Sequence, residues 1–313
     1  MSFVPPAPVP GLAPRRYLPE SEFRGAVAEI AARHGLFPCE LEPYAKGESV
    51  VWRAGDHVIK VTVPACSYQI DAEVGCLSAV AGKLSVQTPA LLARGELSGW
   101  PYVVMRRIGG RPLAEVWPGL DHNARLGLAR ELARLARELH ALPASGFPGG
   151  WDAFFRTCRQ NAGTRHAAAG VPPQLLAEVA PFLERVGPLA ETPLVPLHTE
   201  LLDQHVYLEI EPSSGRPMLS GLIDFADARL GPAPYEIPGL VEFVFRGEAG
   251  LLREFCIAYG MPAASLTGDY SETLLAWSLS HRFGNLARLL TLVAPVLPRS
   301  LGELACLLFR VED

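Results

Sequence analysis

The sequence predicts an α+β fold in two lobes, a small β-rich N-terminal lobe followed by a larger helical C-terminal lobe. Three observations carry that expectation. The chain has 313 residues, about two units at the usual ~150 residues each. Up to residue 108 it reads as short alternating strands broken by glycine turns, with a helix or two. After the glycine pair Gly109-Gly110 the texture changes to long helical periodicity.

Residues 1–19 carry Pro5, Pro6, Pro8, Pro10, Pro14 and Pro19, which deny helix hydrogen bonds and favour an extended arm. From Ser21 to Gly35, the residues Phe23, Val27, Ile30 and His34 recur at helical spacing, with Ser21 able to cap the start and Gly35 the end. Gly47 opens a turn before Val50-Val51-Trp52, Gly55-Asp56 makes another, and residues 57–63 alternate as a strand, so a hairpin with a glycine-bearing first loop is expected. Residues 70–81 return to helical period through Ile70, Val74, Leu77 and Val80, and Tyr102 to Met105 reads as a buried strand.

Beyond the glycine pair, Leu128, Leu132, Leu135, Leu139 and Leu142 repeat at 4-3-4-3 spacing, with Arg130, Arg134, Arg137 and Glu138 on the other side. Residues 151–187 predict two helices split at Gly170-Val171-Pro172-Pro173. His205–Ile210 and Pro217–Ile223 are strand-like runs joined by Ser213-Ser214-Gly215, a hairpin, and helices resume from Leu240. The expected organisation is an arm at 1–19, an N-lobe at 20–108 and a C-lobe at 109–313.

Lys and Arg number 28 against 33 Asp and Glu, a net charge of -5, which supplies no basic field for nucleic acid or an anionic membrane. Apolar residues at 49% and charged residues at 19% exclude a largely disordered chain. Proline stands at 29, close to twice its usual share, so loops are numerous. The six cysteines, Cys39, Cys66, Cys76, Cys158, Cys256 and Cys306, contain no C-x-x-C pair, which excludes zinc ribbons and thioredoxin chemistry and reads as buried thiols in a reducing cytoplasm. No apolar run reaches the ~18 residues of a membrane span, and a soluble, cytoplasmic monomer or homodimer is expected.

Two segments place polar groups where a packed core would not want them: HTELLDQH, with His198, Glu200, Asp203 and His205, and LIDFAD, with Asp224 and Asp227. A hairpin returns its two ends to one edge, which brings His205 and Asp224 together beside Glu200 as two possible metal ligands.

This constellation resembles the core of the aminoglycoside phosphotransferase family, small-molecule relatives of protein kinases. In that family His-Gly-Asp is followed five residues after the Asp by Asn, then a hairpin, then an Asp preceding Phe or Trp. His198 matches the His and Asp224 the metal-binding Asp, while Glu200 stands where the family has its catalytic Asp and His205 where it has Asn. The macrolide-phosphotransferase branch similarly carries His at that last position. YVVMRRIGGRPL (Tyr102 to Leu113) is similar to the family's hinge between lobes, LARELHAL (Leu135 to Leu142) to its first large-lobe helix, and LGPAPYEI (Leu230 to Ile237) to the segment after its metal Asp.

The resemblance implies a protein-kinase-like bilobal fold and transfer of the γ-phosphate of ATP or GTP, with Mg²⁺ or Mn²⁺, to a hydroxyl of a small molecule. An antibiotic or other natural product is the leading acceptor class, and a metabolic alcohol such as choline or a sugar is next. It assigns Lys60 and Glu73 to the nucleotide-gripping ion pair, Gly47, Ser49 and Met105 to the nucleotide cleft, Glu200 to catalysis, and His205 and Asp224 to the metal. The chemistry agrees, because phosphoryl transfer asks for cations on the phosphates, a metal site and a carboxylate orienting the nucleophile. Asp203 is a possible substitute base, while His198 and Asp227 read as supports of the loop.

Other readings stay open for single residues. Lys60 is also what an edge-strand lysine in water looks like, Glu73 a solvated helix face, Glu200 and Asp203 loop carboxylates, and His205 a half-buried histidine. Glu236, Glu242, Asp269 and Glu272 could line an acidic pocket for an amine or stand on a charged helix surface. A nucleotide-binding regulator without turnover, motivated by Glu200 and His205, and a metal-dependent hydrolase built on His198, Glu200, His205 and Asp224 are the competing functions. Against the hydrolase, the histidine spacing is not H-E-x-x-H and Lys60 would be left unused.

Overall fold

Alternation along the strands decides which side chains meet the helices. A computed structural model describes residues 20–44, 49–168, 170–187, 189, 193–213 and 215–312. The proline-rich arm and Gly47 lie outside the described residues. The N-terminal region is an antiparallel sheet in the order β1 (Leu41–Pro43), β2 (Val50–Ala54), β3 (His57–Val61), β5 (Trp100–Arg106), β4 (Leu91–Leu97). One face carries Trp52, Ile59, Val61 and Val104 and packs on Phe23, Val27 and Ile30 of helix α1 (Glu20–Arg33). The opposite face carries Lys60 and Met105 toward helix α2 (Ser67–Val80), whose Ile70 and Leu77 belong to the core shared with the second lobe. The sequence reading missed β4, because its exposed positions and Gly95 hide the alternation.

The chain crosses to the second lobe at Gly109-Gly110. Gly110 has φ +86°, and a Cβ there would stand 2.8 Å from the Leu208 carbonyl, so only glycine admits this close crossing. Strand β6 (Arg111–Pro112) then pairs with β8 (Val206–Ile210), which pairs with β9 (Pro217–Leu222). After the short helix α3 (Leu113–Val116) comes α4 (His122–His140), started by Asp121, whose Oδ1 accepts the Ala124 N–H at 2.8 Å. Its Leu128, Leu132, Leu135 and Leu139 are buried, each stabilising the lobe by roughly 1.5–3 kcal/mol.

The sequence predicts two helices over 151–187; three are present, α5 (Trp151–Gln160), α6 (Ala162–Ala168) and α7 (Pro173–Val186), because the chain breaks at Asn161 as well as near Gly170. The short pair β7 (Leu194–Leu197) and β10 (Arg229–Pro232), with Arg229 opposite Leu197, was not visible in the sequence. Helix α8 (Ile237–Gly239) runs into a π-helical turn over Leu240–Phe245. Helix α9 (Leu251–Tyr259) lies along α4, and α10 (Gly268–Ser280), α11 (Leu286–Val293) and α12 (Leu301–Leu308) close the lobe.

Two contacts join the lobes behind the site. Gly75 of α2 faces Gly146, where a Cβ would be 2.6 Å from the carbonyl oxygen. Gln87 donates to the Ser220 carbonyl at 2.8 Å and accepts from Leu222 N–H at 2.9 Å, which ties the segment before β4 to β9. All six cysteines are free; Cys76, Cys158 and Cys256 are buried as expected, whereas Cys39 and Cys66 are half-buried and Cys306 is exposed. Among the described residues no helix is long and apolar enough to cross a membrane.

Candidate active site

β7 delivers the chain into the loop His198–His205, and β8 carries it away. Because Val206 sits opposite Leu222, the residues flanking the hairpin meet, and the Ile223 N–H donates to the His205 carbonyl at 3.0 Å. Asp224 follows with φ +67°, and Thr199 in the facing loop has φ +70°. A left-handed backbone at a non-glycine residue costs on the order of 1–3 kcal/mol, held here by the packed strands on either side.

His198 is fully buried. Its Nε2 pairs with the Ile223 carbonyl at 2.9 Å and its Nδ1 accepts the Glu200 N–H at 3.3 Å, so it links the two loops. Burial drives its pKa down to about 4, and the ring is neutral. Glu236, which the sequence suggested for a pocket wall, is instead buried beneath this loop, where its Oε2 accepts the His198 N–H at 2.9 Å.

Four predicted residues converge. Lys60 Nζ stands 2.9 Å from Glu73 Oε2 and 2.6 Å from Asp224 Oδ1, and His205 Nε2 stands 3.6 Å from Asp224 Oδ2. Lys60 and Glu73 are buried, so neither is a solvated surface charge. Burial works against the Lys60 ammonium, but Asp224 and then Glu73 outweigh it and raise its pKa. Burial likewise works against the Asp224 carboxylate, and Lys60 and His205 more than offset it, holding its pKa below the usual range. Burial pushes Glu73 upward against the pull of Lys60.

One ammonium between two carboxylates leaves this cluster short of positive charge. The His205 Nδ1 lies 3.0 Å from the Glu200 carbonyl, which fixes the ring and turns Nε2 to Asp224. An imidazole nitrogen and a carboxylate oxygen so placed would suit a divalent cation, which would add positive charge to the cluster. Among the described residues no group of three or more His, Cys, Asp or Glu forms a self-sufficient metal cage.

The Glu200 carboxyl is pushed up to about 8, first by burial and then by Asp227 and Asp224, with Lys60 and Arg282 opposing. Asp227 is ion-paired with Arg282, and its carbonyl accepts the Thr199 hydroxyl at 3.2 Å. Arg282 also donates to the Tyr68 hydroxyl of α2 at 3.3 Å, a bridge between the lobes that sequence reasoning missed. The Asp203 carboxylate is taken up by Arg246 at 2.8 Å. Ser49 lies at the bend entering β2, and Met105 is buried on β5 opposite Val58 and Leu91.

The acidic pocket suggested by Glu236, Glu242, Asp269 and Glu272 is not formed. Glu242 is buried and accepts the Ser278 hydroxyl at 2.6 Å, and Glu272 pairs with Arg185 at 2.5 Å. Burial raises Glu242 from 4.5 to about 7. A carboxyl whose folded pKa is raised stabilises the fold fully below its unfolded pKa and loses that contribution as pH rises through the folded value. Glu242→Gln should therefore melt with the parent near pH 5 and several degrees above it at pH 9, a gain of about 3 kcal/mol. Equal melting at both pH values would contradict this.

Known proteins share this fold. The GDP complex of aminoglycoside 2'-phosphotransferase-IIIa superposes with a TM-score of 0.68 at 18% identity, covering 82% of this chain and 89% of that one. An aminoglycoside phosphotransferase from Streptomyces rimosus gives 0.58 at 18% identity, covering 82% and 98%. These likenesses show the fold, a kinase-like arrangement of two lobes. A curated relative, the lysine-specific demethylase JMJ21 of Arabidopsis thaliana, is 24% identical; the match covers 56% of this chain and only 23% of that protein. Residues 40–273, from the first strand through the helices behind the loop, match the phosphotransferase enzyme family, and the chain belongs to that family.

Proposed function

We propose that the protein transfers the γ-phosphate of ATP or GTP to a hydroxyl of a small molecule, an antibiotic or other natural product first and a metabolic alcohol second. The observation that carries the reading is Lys60, which pairs with Glu73 of α2 and with Asp224, 164 positions further along the sequence. Solved relatives of the same fold are complexes with GDP, ADP and ATP, which supports nucleotide use.

In this reading residues 20–108 grip the nucleotide and 109–313 carry the catalytic loop. Lys60, aimed by Glu73, neutralises phosphate oxygens. A divalent cation, Mg²⁺ or Mn²⁺, when held by His205 and Asp224, supplies further neutralisation of phosphate charge. Glu200 accepts a hydrogen bond from the acceptor hydroxyl and takes its proton as the hydroxyl oxygen bonds to the γ-phosphorus. The bond from that phosphorus to the bridging oxygen breaks, and the nucleoside diphosphate leaves with the electron pair. His198 and Asp227 hold the loop.

The test is transfer of label from γ-labelled ATP and GTP across a panel of hydroxyl-bearing natural products, sugars and choline. Labelled product with one acceptor supports the reading. Nucleotide binding without transfer to any of them would instead favour a regulator, the alternative motivated by Glu200 and His205 standing where the family has Asp and Asn.

A further inference from the structure

We infer that the acceptor carries an anionic group, a carboxylate or similar oxyanion, received by Arg229 beside Arg282 at the mouth of the loop. The inference rests on the phosphoryl-transfer reading above and names the substrate class of that site.

Arg229 opens β10, two residues after Asp227. Its guanidinium carbon lies 3.4 Å from the centroid of the Phe154 ring on α5, and its Nε is buried without a partner. Among the described residues the Arg229 side chain makes no hydrogen bond or ion pair. Burial is the first cause that lowers its pKa, and the nearby charge of Arg282 adds to it. An unpaired, half-buried cation is costly to keep, and an incoming anion removes that cost.

Arg282 stands on the other side of Asp227, ion-paired to it, stacked 4.9 Å from the Phe283 ring and close enough to act on Glu200. Arg282 thus stands beside the carboxyl that would orient the acceptor hydroxyl, and Arg229 stands within reach of the Arg282 charge. A guanidinium held over an aromatic ring has its fork partly ordered in advance, which suits bidentate binding of a carboxylate.

The surrounding elements carry more arginines than unengaged carboxylates. Helices α5 and α6 carry Arg156, Arg159 and Arg165 against Asp152. Glu236, Glu242 and Glu272 are engaged elsewhere, and Asp227 is occupied by Arg282. Cys158 and Tyr235, which also act on Arg229, have raised pKa values through burial and are neutral, and the Asp227 carboxylate, whose charge also reaches Arg229, is ion-paired with Arg282. Related structures hold kanamycin and gentamicin, which are polyamines; this mouth offers such a ligand arginines.

The test uses three matched probes at constant ionic strength: para-(hydroxymethyl)benzoate, its amide and para-(hydroxymethyl)benzylamine, with kanamycin as the polycation. Binding is read from tryptophan fluorescence, since Trp151 lies 5.7 Å from the Phe154 ring. The benzoate should bind about tenfold more tightly than the amide, and the amine less tightly still. Arg229→Gln should remove that preference, Arg229→Lys should keep part of it, and both should bind ATP and GTP as the parent does. Equal binding of the three probes, tighter binding of the amine or kanamycin, no saturable benzoate binding, or a preference retained in Arg229→Gln overturns the inference. So does loss of nucleotide affinity in Arg229→Gln equal to the loss for benzoate, which would assign the arginine to the nucleotide phosphates. Benzoate preference in a protein that binds no nucleotide would instead sink the phosphoryl-transfer reading and leave the anion site standing.

Discussion

Asp224→Asn should lower phosphoryl transfer by about a thousandfold or more while the chain stays folded. The substitution keeps an oxygen for the Lys60 hydrogen bond at 2.6 Å but removes the charge that His205 and a cation would share. Lys60→Met should be equally inactive for a different reason and less stable. It leaves Glu73, 1% exposed, beside Asp224 with no cation between them, and breaking a buried pair in this way costs roughly 3–5 kcal/mol. That deficit should shrink as pH falls toward 5, because Glu73 carries a raised pKa and takes up a proton in the folded state first. Denaturant melts of both variants at pH 8 and pH 5, with γ-phosphate transfer assays, check this. Ordinary transfer by Asp224→Asn would remove Asp224 from the chemistry.

The second large effect belongs to Glu200. With its pKa near 8 in the free protein, most of the carboxyl is protonated at neutral pH and cannot accept a proton. The specificity constant kcat/KM should therefore rise with pH along a limb centred near 8 and level off above it. Glu200→Gln should lose ~100- to 10,000-fold in turnover, and the limb with it. Glu200→Asp withdraws the carboxylate by about 1 Å and should lose on the order of 100-fold while keeping a limb. A pH–rate profile of the three proteins decides; the same rising limb in Glu200→Gln would place the ionisation elsewhere.

The helix α4 was legible because its leucines repeat every turn and its charges share the other face, a pattern that burial alone enforces. The hairpin β8–β9 was legible through its glycine-bearing turn, and with it the meeting of His205 and Asp224. The pair β7–β10 was hidden, since four-residue strands containing Pro196, Gly231 and Pro232 carry no alternation to read. Glu236 and Glu242 looked like surface acids because sequence records charge but not the hydrogen bonds that permit its burial. Arg229 and Arg282 belong to no motif. Arg229 gains its place from Phe154 on another element, and Arg282 from Asp227 and Tyr68, so only the folded chain reveals them.

The central claim is that Lys60, His205 and Asp224 form a nucleotide and metal cleft. Its most direct test is a thermal titration of the purified protein and of Asp224→Asn with ATP and GTP, each with Mg²⁺ or Mn²⁺. A ligand at ~100 times its dissociation constant stabilises the fold by about 2.7 kcal/mol, which moves the melt by several degrees. The expected result is a metal-dependent upward shift with at least one nucleotide that Asp224→Asn loses. No shift with either nucleotide and either metal, or an equal shift in Asp224→Asn, would contradict the claim.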